Sequence, residues 1–387
     1  MPPVYLDNNA TTRVDPRVVE AMLPMFSELF GNPSSGHAFG VAAKLAVARA
    51  RENIQALVGA AHPDEIVFTS GGTESDNLAI LAALAARPGR SEIVVSAVEH
   101  PAVKTLCTAL AAARGLTVHT IPVDNAGRLD REAYAAALSE RVALVSVMWA
   151  NNETGMVFPI ADLAAQAKAV GALFHSDAVQ AVGRLPLAVA ATAIDLLSLS
   201  GHKLHAPKGV GALFVRRGLK LAAQTVGGSQ ERGRRAGTEN VPGIVALGAA
   251  CEIASAGLVS DTARIAALRD RLEAGLLARI AEVRVLGDRD NRVANTAGLA
   301  FAGVESEAVI RLLDRRGIAV SSGSACASGA VEPSHVVRAM GVPQTHARGV
   351  VRFSLSRETT AVEIDHVVDI VPAVIGELRR DALAPAA

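Results

Sequence analysis

The chain has 387 residues, 50% of them hydrophobic, and 38 Lys plus Arg balance 38 Asp plus Glu. Zero formal charge removes the broad electrostatic footprint of a nucleic-acid or membrane-surface binder, so neither partner is expected. Cys107, Cys251 and Cys326 are too few and too far apart for a disulfide framework or a zinc cluster, which points to a reduced, cytoplasmic protein.

The N-terminal stretch "MPPVYLDNNATT" lacks the basic and apolar regions of a signal peptide. The longest apolar runs, such as "LAILAALAA", read as too short for a membrane span. The length suggests two domains.

Short β-branched runs alternate with helical patterns over the first two-thirds. "EIVFTS" leads into "DNLAILAALAA", "EIVVSAV" into "AVKTLCTALAAARG", and "ALVSVMWA" into "IADLAAQAKAVG"; "ALFHSDAV" and "IDLLSLS" follow. This alternation predicts an α/β fold with a mainly parallel sheet, covered on both faces, whose ligands gather beyond the carboxyl ends of the strands. Thr262 to Ile280 places Ile265, Leu268, Leu272, Leu276 and Ile280 on one face, an amphipathic helix read as opening a second domain. Two strand-like pieces, "TAGLAF" and "GIAVSS", come next. Thr360 with Glu363 three residues on predicts a capping box that starts a final helix.

Three strand ends carry candidate chemistry. "FTSGGTESDNLAI" is a strand, a Gly71-Gly72 turn and a helix opening near Thr73, so its free N–H groups suit a phosphate; an ordinary Thr-capped connection reads about equally well. It matches neither GxGxxG nor GxxxxGK[ST], which disfavours dinucleotides and nucleoside triphosphates. "ALFHSDAVQAVG" ends its strand at Asp177, a position that also suits a simple turn cap. "IDLLSLSGHKLHAPKG" ends with Ser200, His202 and Lys203. Lysine is scarce (Lys44, Lys104, Lys168, Lys203, Lys208 and Lys220), and burial at a ligand edge would turn Lys203 into a nucleophilic amine able to form Schiff bases. A phosphate cradle, an acid for a protonated pyridine nitrogen and an amine for an aldehyde together point to pyridoxal 5'-phosphate.

In order along the chain, "YLDNNATT", "GNPSSGHAFG", "GGTESDN", "EHPAV", "NNETG", "HSDAVQA", "GHKLHAPKG", "RRAGTEN", "SSGSACASG" and "VRFSLS" resemble the aminotransferase class V family of fold type I, and within it the cysteine desulfurases. "VMWANNETG", "GHKLHAPKG" and "QERGRRAGTEN" resemble the nitrogen-fixation-associated type more than the housekeeping type. Gly36 and Ala327 depart from the family pattern at positions that touch none of the chemistry.

The resemblance implies a seven-stranded sheet in a large cofactor-binding domain over 14–257. A smaller α+β domain over 258–387 would carry the Cys326 loop, with 1–13 packing nearby. By the same resemblance Lys203 holds the cofactor and moves protons at the substrate Cα, Asp177 pairs with the ring nitrogen, and His100 stacks on the ring as a catalytic acid or base, where without the resemblance it would read as a satisfied core histidine. Asn152 and Gln180 lie near the ring hydroxyl, Asn152 also near substrate. Gly72, Thr73, Ser200, Gly201 and His202 surround the phosphate, and Thr238 reaches the phosphate of a neighbouring subunit, which implies a homodimer. Arg352 is expected to clamp the substrate α-carboxylate bidentately, against the plainer reading of an arginine paired with a structural acid.

Cys326 sits among Ser, Gly and Ala, surroundings that build no core and leave a thiolate accessible. The resemblance implies that it takes sulfur from L-cysteine as a persulfide, leaving L-alanine, and passes it to an iron–sulfur scaffold protein for nitrogenase cluster assembly. A transient iron–sulfur ligand role for Cys326 during transfer is part of that expectation. Cys107 and Cys251, in apolar helical patterns, read as structural. An aminotransferase would not need Cys326, and a selenocysteine lyase of the other desulfurase subgroup would carry a shorter cysteine loop. A sulfur-carrying docking protein would keep its function in Lys203→Ala.

Overall fold

The computed structural model describes residues 2–322 and 332–383. The chain opens with β1 (Val4–Tyr5), α1 (Pro16–Met22), α2 (Pro24–Ser27) and α3 (Ala38–Val58). The Asp15 side chain caps α1 by accepting from the Arg17 N–H. Gly59 ends α3 with φ 65°, a left-handed turn that a side chain would strain.

Strand and helix then alternate. β2 (Ile66–Thr69), α4 (Gly72–Ala86), β3 (Glu92–Ser96) and α5 (Pro101–Arg114) lead into β4 (Thr117–Ile121) and α6 (Arg131–Ala137). β5 (Val142–Ser146), α7 (Ile160–Ala169), β6 (Leu173–Asp177), β7 (Leu196–Ser200) and β8 (Gly211–Val215) complete the series. These strands form one seven-stranded sheet in the order β2-β8-β7-β6-β5-β3-β4. Neighbours from β4 to β7 run parallel, and β8 is antiparallel to both β7 and β2. The mainly parallel α/β sheet expected of fold type I is therefore present.

Both faces of the sheet are covered, which is why β3, β5, β6, β7 and β8 are buried at every residue. Val94, Val145, Phe174, Leu197 and Phe214 point into one cluster with α3 and α7. The alternating residues Ile93, Leu144, Leu173, Leu196 and Leu213 meet α4 and α5 on the other face. Cys107 and Cys251 belong to these apolar clusters, and burial pushes each thiol up to about 12. Neither is available as a thiolate near neutral pH, in keeping with a structural role.

α8 (Val241–Arg279) carries the chain into the C-terminal region, followed by β9 (Val283–Leu286), β10 (Thr296–Phe301), α9 (Ser306–Asp314) and β11 (Ile318–Ala319). α10 (His335–Ala339), α11 (Gln344–Ala347), β12 (Val350–Ser354) and α12 (Ala361–Leu383) finish it. β12, β10 and β9 form an antiparallel sheet, while β1 pairs in parallel with β11. Their apolar faces make a separate core with α9, α12 and the second half of α8. Thr360 and Glu363 exchange the two hydrogen bonds of the expected capping box ahead of α12.

Two sequence expectations change. The helix read as starting at Thr262 begins at Val241, so it runs unbroken through the expected boundary at 257/258. Its first half buries Val241, Ile244, Leu247, Ala250 and Cys251 in the sheet's core and so lacks the one-sided stripe that marked the second half. This helix is also long and apolar enough to cross a membrane by length and composition, contrary to the reading of short apolar runs. Its buried residues serve the two interior clusters instead.

Candidate active site

The carboxyl ends of the parallel strands deliver most of the expected residues to one edge. β2 ends at the Gly71-Gly72 turn and α4. β3 is followed by His100, the N-cap of α5, whose Nδ1 accepts from the Ala102 N–H at 3.2 Å. β5 is followed by the turn carrying Asn152, β6 ends at Asp177, and β7 ends at Ser200 and a 3-10 turn over Gly201–Lys203. A parallel sheet gathers such groups because all its strands finish on the same side.

The opening of α4 is kept accessible by close backbone packing. A Cβ on Gly211 would lie 2.7 Å from Gly71 Cα and 2.7 Å from the Leu199 carbonyl oxygen, so β8 admits only glycine beside this turn. A Cβ on Gly72 would stand 3.7 Å from Ser200 Cβ. Gly72, Ser200 and Gly201 thus share one corner, with the first N–H groups of a 15-residue helix at its edge. Thr73 is exposed there, and His202 Nδ1 is 3.1 Å from Thr11 Oγ1. Burial, then the Lys203 and Lys208 charges, lower His202 to about 4, so it is neutral at physiological pH. Thr238 lies exposed on a loop that Arg235 ties to Glu74, in the first turn of α4, at 2.8 Å.

Asp177 is 6% exposed, and its Oδ1 accepts from the Val179 N–H at 2.9 Å. Among the described residues no cation stands within ion-pair distance of it. Burial pushes this carboxyl up, while His100 and Lys203 oppose the rise. Beneath it lies a polar layer that sequence reasoning missed. Ser146 Oγ and Ser198 Oγ stand 2.8 and 2.9 Å from the two nitrogens of His175, and Asp76 Oδ1 is 3.5 Å from His175 Nε2. Burial lowers His175 to about 3 and raises Asp76, so the layer carries a neutral imidazole and a carboxyl shifted toward its acid form. Glu99, also fully buried, is pushed up to about 8 by burial.

Lys203 Nζ donates to the carbonyl oxygens of Asn9 and Ala10 at 2.5 and 2.6 Å. Burial, then the charges of Arg184 and Arg352, lower its amine to about 8, against the pull of Asp7 and Asp177. Gln180 Nε2 donates to the Asn9 carbonyl at 3.1 Å, and its Oε1 accepts from Arg184 Nη1. Arg352, on β12, donates from Nη1 to the Asn152 carbonyl at 3.0 Å and pairs through Nη2 with Asp7 Oδ1 at 2.7 Å. That acid pairing was the plainer of the two readings of Arg352, and Asp7 was not singled out from the sequence. Cys326 lies outside the described residues. Among the described residues no group of three or more His, Cys, Asp or Glu side chains is placed to hold a metal.

The residues present fit a pyridine aldehyde phosphate. A carboxylate with no cation beside it among the described residues at the end of β6, an amine on the next strand's turn and a helix N-terminus approached through glycines provide three matching contacts. They match a protonated ring nitrogen, an aldehyde and a phosphate respectively.

Residues 4–367 match the aminotransferase class-V family model. The chain is 60% identical to a cysteine desulfurase of Gluconacetobacter diazotrophicus, covering 97% of this chain and 94% of the relative. It is 56% identical to the cysteine desulfurase NifS of Azotobacter vinelandii, over 98% and 94%. A solved NifS-like protein superposes with a TM-score of 0.90 at 35% identity, covering 97% of this chain and 100% of that one.

Proposed function

The chain belongs to the aminotransferase class-V family, and we infer from its geometry how it works as a pyridoxal 5'-phosphate-dependent cysteine desulfurase. The convergence of the Lys203 amine and the buried Asp177 carboxylate at the ends of adjacent parallel strands carries this reading. When bound, the cofactor would supply an aldehyde reactive toward the amine of L-cysteine and an electron sink for charge at the substrate Cα.

The chain's own residues do the rest. Lys203 holds the cofactor and, as an amine lowered to about 8, takes and returns a proton at the substrate Cα. Asp177 holds the ring nitrogen in its protonated form. His100, whose imidazole burial shifts toward the neutral form, would lie against the ring, and Asn152 and Gln180 would stand near the ring hydroxyl. Gly72, Thr73, Ser200, Gly201 and His202 receive the phosphate. Arg352 takes the substrate carboxylate, with Asp7 holding the guanidinium in orientation from one side.

Cys326 accepts the sulfur. In the net reaction the Cβ–S bond of L-cysteine breaks, an S–S bond forms on Cys326, a proton reaches Cβ, and L-alanine leaves. No outside oxidant is needed. Cys326 then hands sulfur to an iron–sulfur scaffold in the cytoplasm, in the setting of nitrogenase cluster assembly.

The working form is a homodimer in which Thr238 completes the partner's phosphate site. Leu23, Phe26, Phe30, Phe39 and Leu45 are each more than half exposed along residues 23–45, and the rings of Phe30 and Phe39 lie 5.5 Å apart. A monomer rarely leaves such an apolar patch in water. We assign a large domain to 14–257 and a small one to 258–387, with 1–13 beside the small one and α8 passing from one to the other.

The test is Cys326→Ser, incubated with L-cysteine and analysed by mass spectrometry. The variant keeps bound cofactor and forms neither a persulfide nor sulfide, whereas the parent enzyme shows a persulfide on Cys326. Normal sulfide and alanine release by Cys326→Ser overturns the assignment.

A further inference from the structure

Asn9 stands at the meeting point of the two regions and of the reactive lysine, and it is 2% exposed. Its Nδ2 donates to the Asn152 carbonyl at 3.0 Å and to Thr296 Oγ1 at 2.9 Å. Its Oδ1 accepts from Asn295 Nδ2 at 2.9 Å and from Arg184 Nη1 at 3.0 Å. Its backbone N–H donates to Ser354 Oγ at 2.9 Å, and its carbonyl accepts from Gln180 Nε2 and Lys203 Nζ. Both amide donors and both lone pairs of the side chain are therefore used, and their partners come from both sides of the site. A side-chain amide is the group that matches this pattern, since it presents donors on one side and acceptors on the other.

Among the described residues the lysine's seat is built from carbonyl oxygens. Two N–H bonds point at Asn9 and Ala10, so the bond to Cε and these two directions fix three of the four tetrahedral positions at Nζ. The fourth holds a proton in the ammonium and the lone pair in the amine. It is the direction through which the nitrogen reacts. Among the described residues Lys203 makes no carboxylate ion pair, so the carbonyl seat rather than a salt bridge sets this direction.

We propose that Asn9 is the positioning residue for Lys203: it fixes the carbonyl seat that aims the lysine's reactive position, and it ties that aim to the placement of β10 and β12 against the large sheet. The proposal rests on Lys203 being the cofactor-bearing amine. A shift of the C-terminal region would move Thr296, Asn295 and Ser354, and through Asn9 would move the oxygen that holds Nζ. The charged or titratable groups facing Lys203 are Arg184, Arg352, Asp7 and Asp177, with His100 and His202 nearby. Asn9 holds Arg184 in this set and adds no charge of its own.

The experiment uses the full-length chain freed of cofactor. Competitive labelling with acetic anhydride across pH reads the titration midpoint and intrinsic reactivity of Lys203, and hydrogen–deuterium exchange follows segments 4–12, 295–301 and 350–354. Lys203 of the parent is expected to show a midpoint of about 8. Asn9→Asp, which keeps the size but places a negative charge by Lys203 and a repulsion against the Asn152 carbonyl, moves the midpoint up by about one unit, a tenfold change in free amine near neutral pH. Asn9→Ala raises the intrinsic reactivity of Lys203 and speeds exchange in all three segments. Should Asn9→Ala fail to fold, Asn9→Ser, which adds no charge, decides the matter by the same labelling and exchange readouts. Parent-like labelling and exchange in the folded variants, even with reduced turnover, overturns the proposal. Borohydride reduction of the loaded enzyme with peptide mapping separately tests whether Lys203 bears the cofactor, so the two readings fail independently.

Discussion

Ser334 Oγ donates a 2.6 Å hydrogen bond to Glu153 Oε2, joining the first residues after the Cys326 segment to the turn that carries Asn152. The same hydroxyl accepts from the Val337 N–H at 3.1 Å and caps α10. One residue on, His335 Nε2 lies 2.9 Å from the Glu99 carbonyl, next to His100. The chain returning from Cys326 is thus fastened to the large sheet's edge as α10 begins. Ser334→Ala removes the cap and leaves a buried Glu153 without this partner, a loss of about 1–2 kcal/mol. We expect hydrogen exchange over 335–339 to speed about five- to thirtyfold in Ser334→Ala. Glu153→Gln, which can still accept from the hydroxyl, should change it much less.

Glu99 makes stability depend on pH in a defined direction. Its buried carboxyl has a folded value of about 8, above the ordinary 4.5, so the folded state keeps a proton that the unfolded chain releases between those values. Stability from this group is complete below pH 4.5, falls as pH rises, and levels off above about 8. The slope approaches about 1.4 kcal/mol per pH unit at most. Glu99→Gln keeps an oxygen for the Ser96 hydroxyl and the Met148 N–H and removes the titration. Thermal unfolding of Glu99→Gln should therefore vary less between pH 5.5 and 8.5 than that of the parent, with the larger gain at the alkaline end. Parallel curves would show that Glu99 does not titrate in this range.

Gly211 and Gly36 form a contrasting pair. An added methyl at Gly211 collides with Gly71 and Leu199, whereas at Gly36 no heavy atom lies within 4 Å. Gly211→Ala should push the turn before α4 out of place, weakening cofactor retention on dialysis about tenfold or more and lowering the unfolding temperature. Gly36→Ala should match the parent in both measurements.

The sheet was legible because burial on both faces writes continuous apolar strands, and the strand ends "HSD" and "SGHK" placed Asp177 and Lys203 at one edge. The edge strand β4, "TVHTI", alternates polar residues and gave no such run. β8 was hidden because "GALFV" follows the lysine motif without a helix between, which is why it runs antiparallel. Asn9, Asp7 and Arg184 escaped for a different reason. Their contacts join residues hundreds of positions apart, and neither periodicity nor local spacing records such pairings. Asp76, Glu99 and His175 looked like ordinary polar residues because burial, invisible in the sequence, is what shifts their protonation.

The parallel pairing of β1 with β11, together with Asn9's contacts to Ser354, has a consequence for synthesis. Residues that leave the ribosome first must wait for partners made near the very end, separated by as many as 345 positions. The central sheet has all its strands once Val215 has emerged, but the lysine's seat cannot close until β12 has been translated. A nascent chain stalled before that point would hold its vitamin-derived partner loosely or not at all, so loading belongs to the finished polypeptide.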